Sequence, residues 1–371
     1  MKEEINISRL NIKKRQKENK SVFGIFAPFI AVVLALLVGA LIIAMAGASP
    51  LYAYQWLLYG AFGSLNSFSE TLIKTTPLLI SGLGLAIAFR SNMISIGAEG
   101  QIIMGGLFAT LAGLYITGLP AVVMIPLLII AGFIGGAIWG AIPGLLKAKL
   151  GVSEIINTIM LNYIALYFVN YLLDIPLREP PGYFPQSAQI VKEAWLPVIL
   201  PGTRLHAGFL LGLLLVVAYY FLMFRLPLGY KIRAVGLNPH AARYGGINVE
   251  RNMVIAMALS GGLAGIAGMS EIAGVQHRLL GAFSSGYGFD AIAVALLGKL
   301  HPLGVLASAL FFGALRVGAN SMQRAAQVPA SVVYVIQGLV VIFVLTDTFL
   351  QKHMVSWRKS RPAKKTSGEE A

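Results

Sequence analysis

Four acidic residues, Glu99, Glu154, Glu271 and Asp290, stand near the ends of long apolar runs, and Asn157, Asn162 and Asn170 fall inside one such run. A charge at the centre of a bilayer costs about 2.5–3.5 kcal/mol on insertion scales, so acids at that depth line a cavity, pair, or stay near the interface. Close to a run's end, helix capping or interfacial placement explains an acid equally well. Glu154 follows Ser153 and opens its run, where a carboxylate favours the positive helix terminus, so capping is its reading. The asparagines, with Thr158 and Tyr163 beside them, form a neutral polar face. Such a face bonds to neighbouring helices or lines a path for a hydroxylated solute. The residues that could line such a path are Glu99, Asn157, Asn162 and Asp290.

Catalytic motifs are missing. There is no G-x-x-x-x-G-K-[ST], since Gly298-Lys299 is followed by Leu300, and neither H-E-x-x-H nor G-x-S-x-G occurs. His206, His240, His277, His301 and His353 are scattered singly, and the chain has no cysteine, so no metal site is expected. The expectation is a protein that is not an enzyme and holds no cofactor.

These residues are embedded in a chain of 371 residues that is 57% hydrophobic and 12% charged, against roughly 25% charged in ordinary globular domains. With a mean hydropathy of +0.76, its surface is too apolar to face water throughout. The net charge of +14 does not indicate nucleic-acid binding, because seven of the 29 Lys and Arg lie in the first 20 residues and six in the last 20. Basic tails around an apolar body suit termini on the cytoplasmic face of an anionic membrane.

Apolar runs of spanning length lie near 22–46, 72–89, 101–117, 120–143, 154–174, 206–225, 251–271, 287–300, 302–320 and 329–349. The expected fold is therefore all-α, a polytopic membrane protein of about ten transmembrane helices. Residues 1–21 and 351–371 are basic cytoplasmic tails and 22–350 is the membrane body. The first run is too long for a cleavable signal and reads as a retained anchor. The segment 175–205 carries six prolines and reads as an irregular external cap, with Trp195 in an interfacial belt alongside Tyr52, Tyr54 and Trp56 of the first external loop. Five runs on each side of that cap imply two inverted halves. Gly97-Ala98-Glu99 and Gly288-Phe289-Asp290 echo one another as glycine turns before apolar runs, placed on the inner and outer sides respectively. Glycines repeat every four residues at 132, 136, 140 and 144, and again at 261 and 265, a spacing that lets helix backbones approach closely.

The cytoplasmic segment 226–250 reads PLGYKIRAVGLNPHAARYGGINVER. Asn238 suits an N-cap, Pro239 the first helical turn, and Gly245-Gly246 a stop. So short a helix is unstable alone in water and calls for a docking surface.

The run from Arg233 to Asn248 resembles the cytoplasmic coupling segment of bacterial ATP-binding cassette (ABC) importer permeases of the branched-chain amino acid/ribose-type family. Ile94–Gln101 and Gly151–Tyr163 resemble its nucleoside and simple-sugar branch. The resemblance implies a permease subunit that forms the pathway for a nucleoside or simple sugar. It implies cytoplasmic ABC ATPase subunits, a second and often different permease, and an extracytoplasmic solute-binding lipoprotein. It also implies a multi-pass protein of the bacterial cytoplasmic membrane. The residues matching the coupling segment are Gly236, Leu237, Asn238, Pro239, Ala242, Arg243, Tyr244 and Gly245. The rivals are a secondary transporter driven by an ion gradient through a buried acid, and a membrane scaffold that moves nothing.

Overall fold

The computed structural model describes residues 30–359. The expected basic tail 1–21, the start of the first run and residues 360–371 lie outside the described residues. The elements are α-helices: α1 (Ile30–Met45), α2 (Pro50–Phe62), α3 (Leu65–Arg90), α4 (Ala98–Tyr115), α5 (Ala121–Leu150), α6 (Glu154–Asp174), α7 (Gly208–Phe224), α8 (Pro227–Leu237), α9 (Pro239–Tyr244), α10 (Val249–Glu271), α11 (Tyr287–Leu297), α12 (Pro302–Ala326) and α13 (Ser331–Lys359). Isolated β-bridges occur, and no strand longer than a bridge is found among the described residues.

Among the described residues, five helices are long and apolar enough to cross a bilayer, or up to seven if the bent pairs α1–α2 and α7–α8 each count as one crossing. Each expected run coincides with a helix, and the differences lie at the boundaries. The run 287–300 forms only the 11-residue α11, about 16 Å long, which cannot cross a ~30 Å layer unaided. The run 72–89 is the core of the 26-residue α3. Residues expected in the first external loop form α2, bent 119° from α1, and Trp56 makes edge contacts there with Tyr52 and Tyr59. Helix α13 runs on to Lys359, past the expected end of the membrane body at 350.

Burial separates the helices. In the apolar window of α3, 89% of residues are buried inside the protein, against 22% for α6, so α3 is the central post and α6 a peripheral helix. The glycine repeats explain one tight seam. A Cβ on Gly136 would stand 2.1 Å from the carbonyl oxygen of Gly261, and one on Gly265 the same distance from that of Gly132. Backbones this close exclude any larger residue, which packs α5 against α10. Helix α10 ends in a single π-turn, Ile272–Gln276, closed by His277 at φ +55°.

The proline-rich segment 175–205 is irregular, as expected, and is fastened to the π-turn and the chain just beyond it. The amides of Ser187, Ile190 and Leu196 donate to the carbonyls of Leu279, His277 and Ala273. Trp195 belongs to this seam, with its ring stacked 3.9 Å from that of His277 and its indole N–H donated to the Ile190 carbonyl.

Candidate functional site

The segment 226–250 folds from local signals. Pro227 starts α8 and Asn238 ends it, and the Asn238 side chain then caps α9 by accepting from the Ala241 amide at 3.1 Å. Gly246, at φ +77°, turns the chain out of α9, and Asn248 caps α10 through the Arg251 amide at 2.9 Å. Of the eight residues matched here, Ala242 is buried with Val235 and Val249 beneath the helix. Leu237 and Tyr244 stand 88% and 95% exposed. Arg243 pairs with Glu250 at 3.5 Å on the surface. Gly236 is pressed against α3, where a Cβ would lie 2.0 Å from the Arg90 carbonyl oxygen. Two large side chains, Leu237 at the end of α8 and Tyr244 at the end of α9, are thus held out from a segment whose root is wedged against the central post.

The four residues read as lining a path do not form one cluster. Glu99, at the start of α4, accepts hydrogen bonds from the Ser284 hydroxyl and from the amides of Gly286 (3.0 Å) and Gly288 (2.7 Å). It therefore caps α11, where the helix dipole and the unpaired amides favour a carboxylate. A Cβ on Gly288 would sit 2.2 Å from the Glu99 nitrogen, so the two glycine turns touch. This corrects their placement on opposite sides of the membrane, because two short-ended helices meet N-terminus to N-terminus inside the protein. Asn162 ties down the chain ahead of α4, donating to the Ile96 carbonyl and accepting from the Gly100 amide, both at 2.9 Å. Thr158 adds a bond from the Ile96 amide at 3.2 Å. Asn157 lies one turn away on α6, and its amide nitrogen is buried without a partner among the described residues.

Asp290, one turn into α11, pairs with Arg316 of α12 at 2.8 Å, and Arg316 also covers the Tyr287 ring at 4.4 Å. The acids read as capping or functional divide likewise. Glu154 is the first residue of α6, as its reading at the positive helix terminus expects, and pairs with Lys147 at 2.9 Å, while the deeply buried Glu271 faces Lys74 at 3.8 Å.

Lys74 and Arg316 are on the wall of a cleft of about 480 Å³ between α2, α3, α12 and α13. The cleft lies at the Leu65 end of α3, about 24–36 Å along the helix from Arg90 and the coupling segment. Sequence reasoning did not single out its residues. The available signals were Lys74 and Arg316, cations within the apolar runs 72–89 and 302–320.

Between the cap and α7, His206 is bridged to Val198, is 2% exposed and accepts the Gly208 amide on Nδ1 at 3.2 Å. Burial, and secondarily the nearby His277, hold its imidazole down at about 4, so it is neutral near pH 7. No group of three or more metal-ligating side chains occurs among the described residues.

Residues 67–345 match the family described as "Branched-chain amino acid transport system / permease component". The chain is 38% identical over 333 residues to a guanosine ABC transporter permease protein of Bacillus subtilis, covering 88% of this chain and 95% of that one. It is 36% identical over 357 residues to a glucose ABC transporter permease protein of Haloferax volcanii, with 92% and 94% covered. It is 32% identical over 364 residues to a nucleoside ABC transporter permease protein of Lactococcus lactis, with 95% and 100% covered. No solved structure matches the chain.

Proposed function

The chain belongs to the branched-chain amino acid transport permease family and is a multi-pass membrane permease protein of an ABC transporter; from that premise we propose that it imports a nucleoside or, as the second choice, a simple sugar. Two of the three relatives above are named for guanosine or nucleosides and one for glucose.

The observation that carries the coupling half of this proposal is α9. Its caps fix it, its buried Ala242 anchors it, and Leu237 and Tyr244 stand uncovered among the described residues. Large apolar side chains on a short polar segment suit a protein partner. That partner is a cytoplasmic ATPase, which supplies the nucleotide motif this sequence lacks. Gly236, Leu237, Asn238, Pro239, Ala242, Arg243, Tyr244 and Gly245 form the contact. Closure of the ATPase pair pushes α8 and α9, and the wedge of Gly236 on Arg90 passes the push to α3. A second, different permease subunit and an extracytoplasmic solute-binding lipoprotein complete the transporter. The protein sits in the cytoplasmic membrane with both basic tails inside. The body 22–350 comprises two inverted halves of five helices, with 175–205 as the external cap and 226–250 as the coupling segment.

Among the pathway residues, Asp290 acts through Arg316 at the cleft. Glu99 and Asn162 set the ends of α4 and α11 that frame the path, and Asn157 offers a free donor to the solute. Uptake into vesicles carrying the whole transporter tests the proposal. Labelled guanosine should accumulate only with ATP inside the ATPase-bearing compartment. Accumulation driven by a proton gradient, without ATP or an ATPase partner, would instead favour the secondary-transporter reading.

A further inference from the structure

The cleft at the far end of α3 has the size of a small-molecule site, in the ~300–1,000 Å³ range of ligand pockets. Its walls say what it fits. Three of its four cations are answered by carboxylates: Lys74 by Glu271, Arg316 by Asp290, and Arg204 by Glu70 at 2.8 Å. Arg324 stands beside Ser321. With the cations so balanced, the cleft suits a neutral, hydrogen-bonding solute better than an anion.

Gln337 of α13 lines this cleft and is 4% exposed, yet neither its amide nitrogen nor its amide oxygen has a hydrogen-bond partner among the described residues. Buried amides are nearly always paired. A carboxamide with both atoms open matches a ligand edge that carries a donor and an acceptor side by side, which is the pattern of a nucleobase edge. One turn before it, Tyr334 lines the same cleft at 59% exposure, leaving ring surface for a flat base to stack on. Tyr287 is not available for this, since its ring is held by Arg316 at 4.4 Å and Lys74 at 5.6 Å. Asn66 and Asn320 on the facing walls suit ribose hydroxyls.

We propose that this cleft is the resting site of the solute in the pathway, with Gln337 reading the edge of a nucleobase and Tyr334 stacking on its face. The proposal rests on the reading of the chain as a nucleoside permease and names the residues that would favour a nucleoside over a hexose.

The test is uptake of labelled guanosine by cells making the complete transporter, with Gln337→Leu and Tyr334→Ala compared with wild type at matched membrane levels. A neutral hydrogen bond and a stacking contact each translate into roughly a tenfold change in affinity. The expected result is a KM for guanosine about tenfold higher in each variant, with the maximal rate within twofold of wild type. Inhibition by unlabelled glucose should stay at the wild-type level. A purely structural role for Gln337 would lower the maximal rate and leave KM unmoved. If Gln337→Leu is absent from the membrane, Tyr334→Ala, at an exposed position, decides the matter alone. Unchanged KM in the variants that reach the membrane, beside a wild type that takes up guanosine, would overturn base recognition in this cleft only. A wild type that takes up no guanosine would overturn the solute reading and this proposal together.

Discussion

At its Arg90 end, α3 meets a segment built from adjacent residues: a proline start, an asparagine cap, a glycine stop and a second asparagine cap within 22 positions from Pro227 to Asn248. At its Leu65 end, it meets a cleft assembled from α2, α3, α12 and α13, whose lining runs from Gly60 to Gln337. The first region keeps two large apolar side chains in the open, and the second encloses ion pairs and a carboxamide. A segment that is gripped from outside needs a fixed backbone and an exposed face. A site that receives a small solute needs polar groups gathered from distant parts of the chain and shielded together. The two ends therefore respond differently to substitution: the exposed face loses transport alone, while the ion pairs of the enclosed end also hold the fold.

The largest effect is expected at the exposed end. Leu237→Glu combined with Tyr244→Glu should lower ATP-driven uptake by about 100-fold, the scale of removing an interface hot spot. Thermal unfolding in detergent should move by no more than about 0.5 kcal/mol, because both positions face outward. A matching loss of stability would mean that these side chains hold the fold, erasing the contrast.

At the enclosed end, Asp290→Asn should act in the opposite sense. It leaves the Arg316 guanidinium, whose side chain is 12% exposed, without its carboxylate. Breaking a buried pair from one side costs about 3–5 kcal/mol, and the unfolding midpoint should show it. An unchanged midpoint would place Arg316 in water.

A smaller effect is expected in the cap. The folded His206 titrates at about 4, below the ordinary 6.5 of histidine. Between those values the unfolded chain binds the extra proton, so the stability contributed by neutral His206 is complete above about pH 6.5 and is lost as pH falls toward 4. By pH 5 the loss is about 2 kcal/mol, readable as faster hydrogen exchange in residues 187–207, and His206→Gln should flatten the profile. A cap whose exchange is insensitive to pH in that window would contradict the neutral, Gly208-bonded imidazole.

The same contrast explains what could be read in advance. The limits of α9 follow from residue types within one turn of each end, so Asn238, Pro239 and Gly245 announced it. The close seam of α5 and α10 followed from glycine spacing alone. The shortness of α11 showed in the run 287–300, the shortest of the ten, but nothing in that run signals that its Gly288 end abuts Glu99, 189 positions away. The meeting of the two glycine turns was missed for that reason. Gln337 and Tyr334 lay unnoticed inside an apolar run, since a polar residue in a helix declares neither its partners nor their absence until the tertiary structure is known. Asn162 was legible as a residue of consequence, yet only its bonds to Ile96 and Gly100 reveal that it holds backbone in place.

The central claim is that α9 is gripped by a separate ATPase, and the absence of native cysteine allows a clean test of it. A single cysteine placed at Tyr244→Cys, in vesicles of known orientation, should be reached by thiol reagents from the cytoplasmic side. It should also cross-link to a partner carrying a G-x-x-x-x-G-K-[ST] nucleotide motif. Labelling from the external side only, or cytoplasmic labelling with no such partner captured in a transport-active complex, would contradict the account.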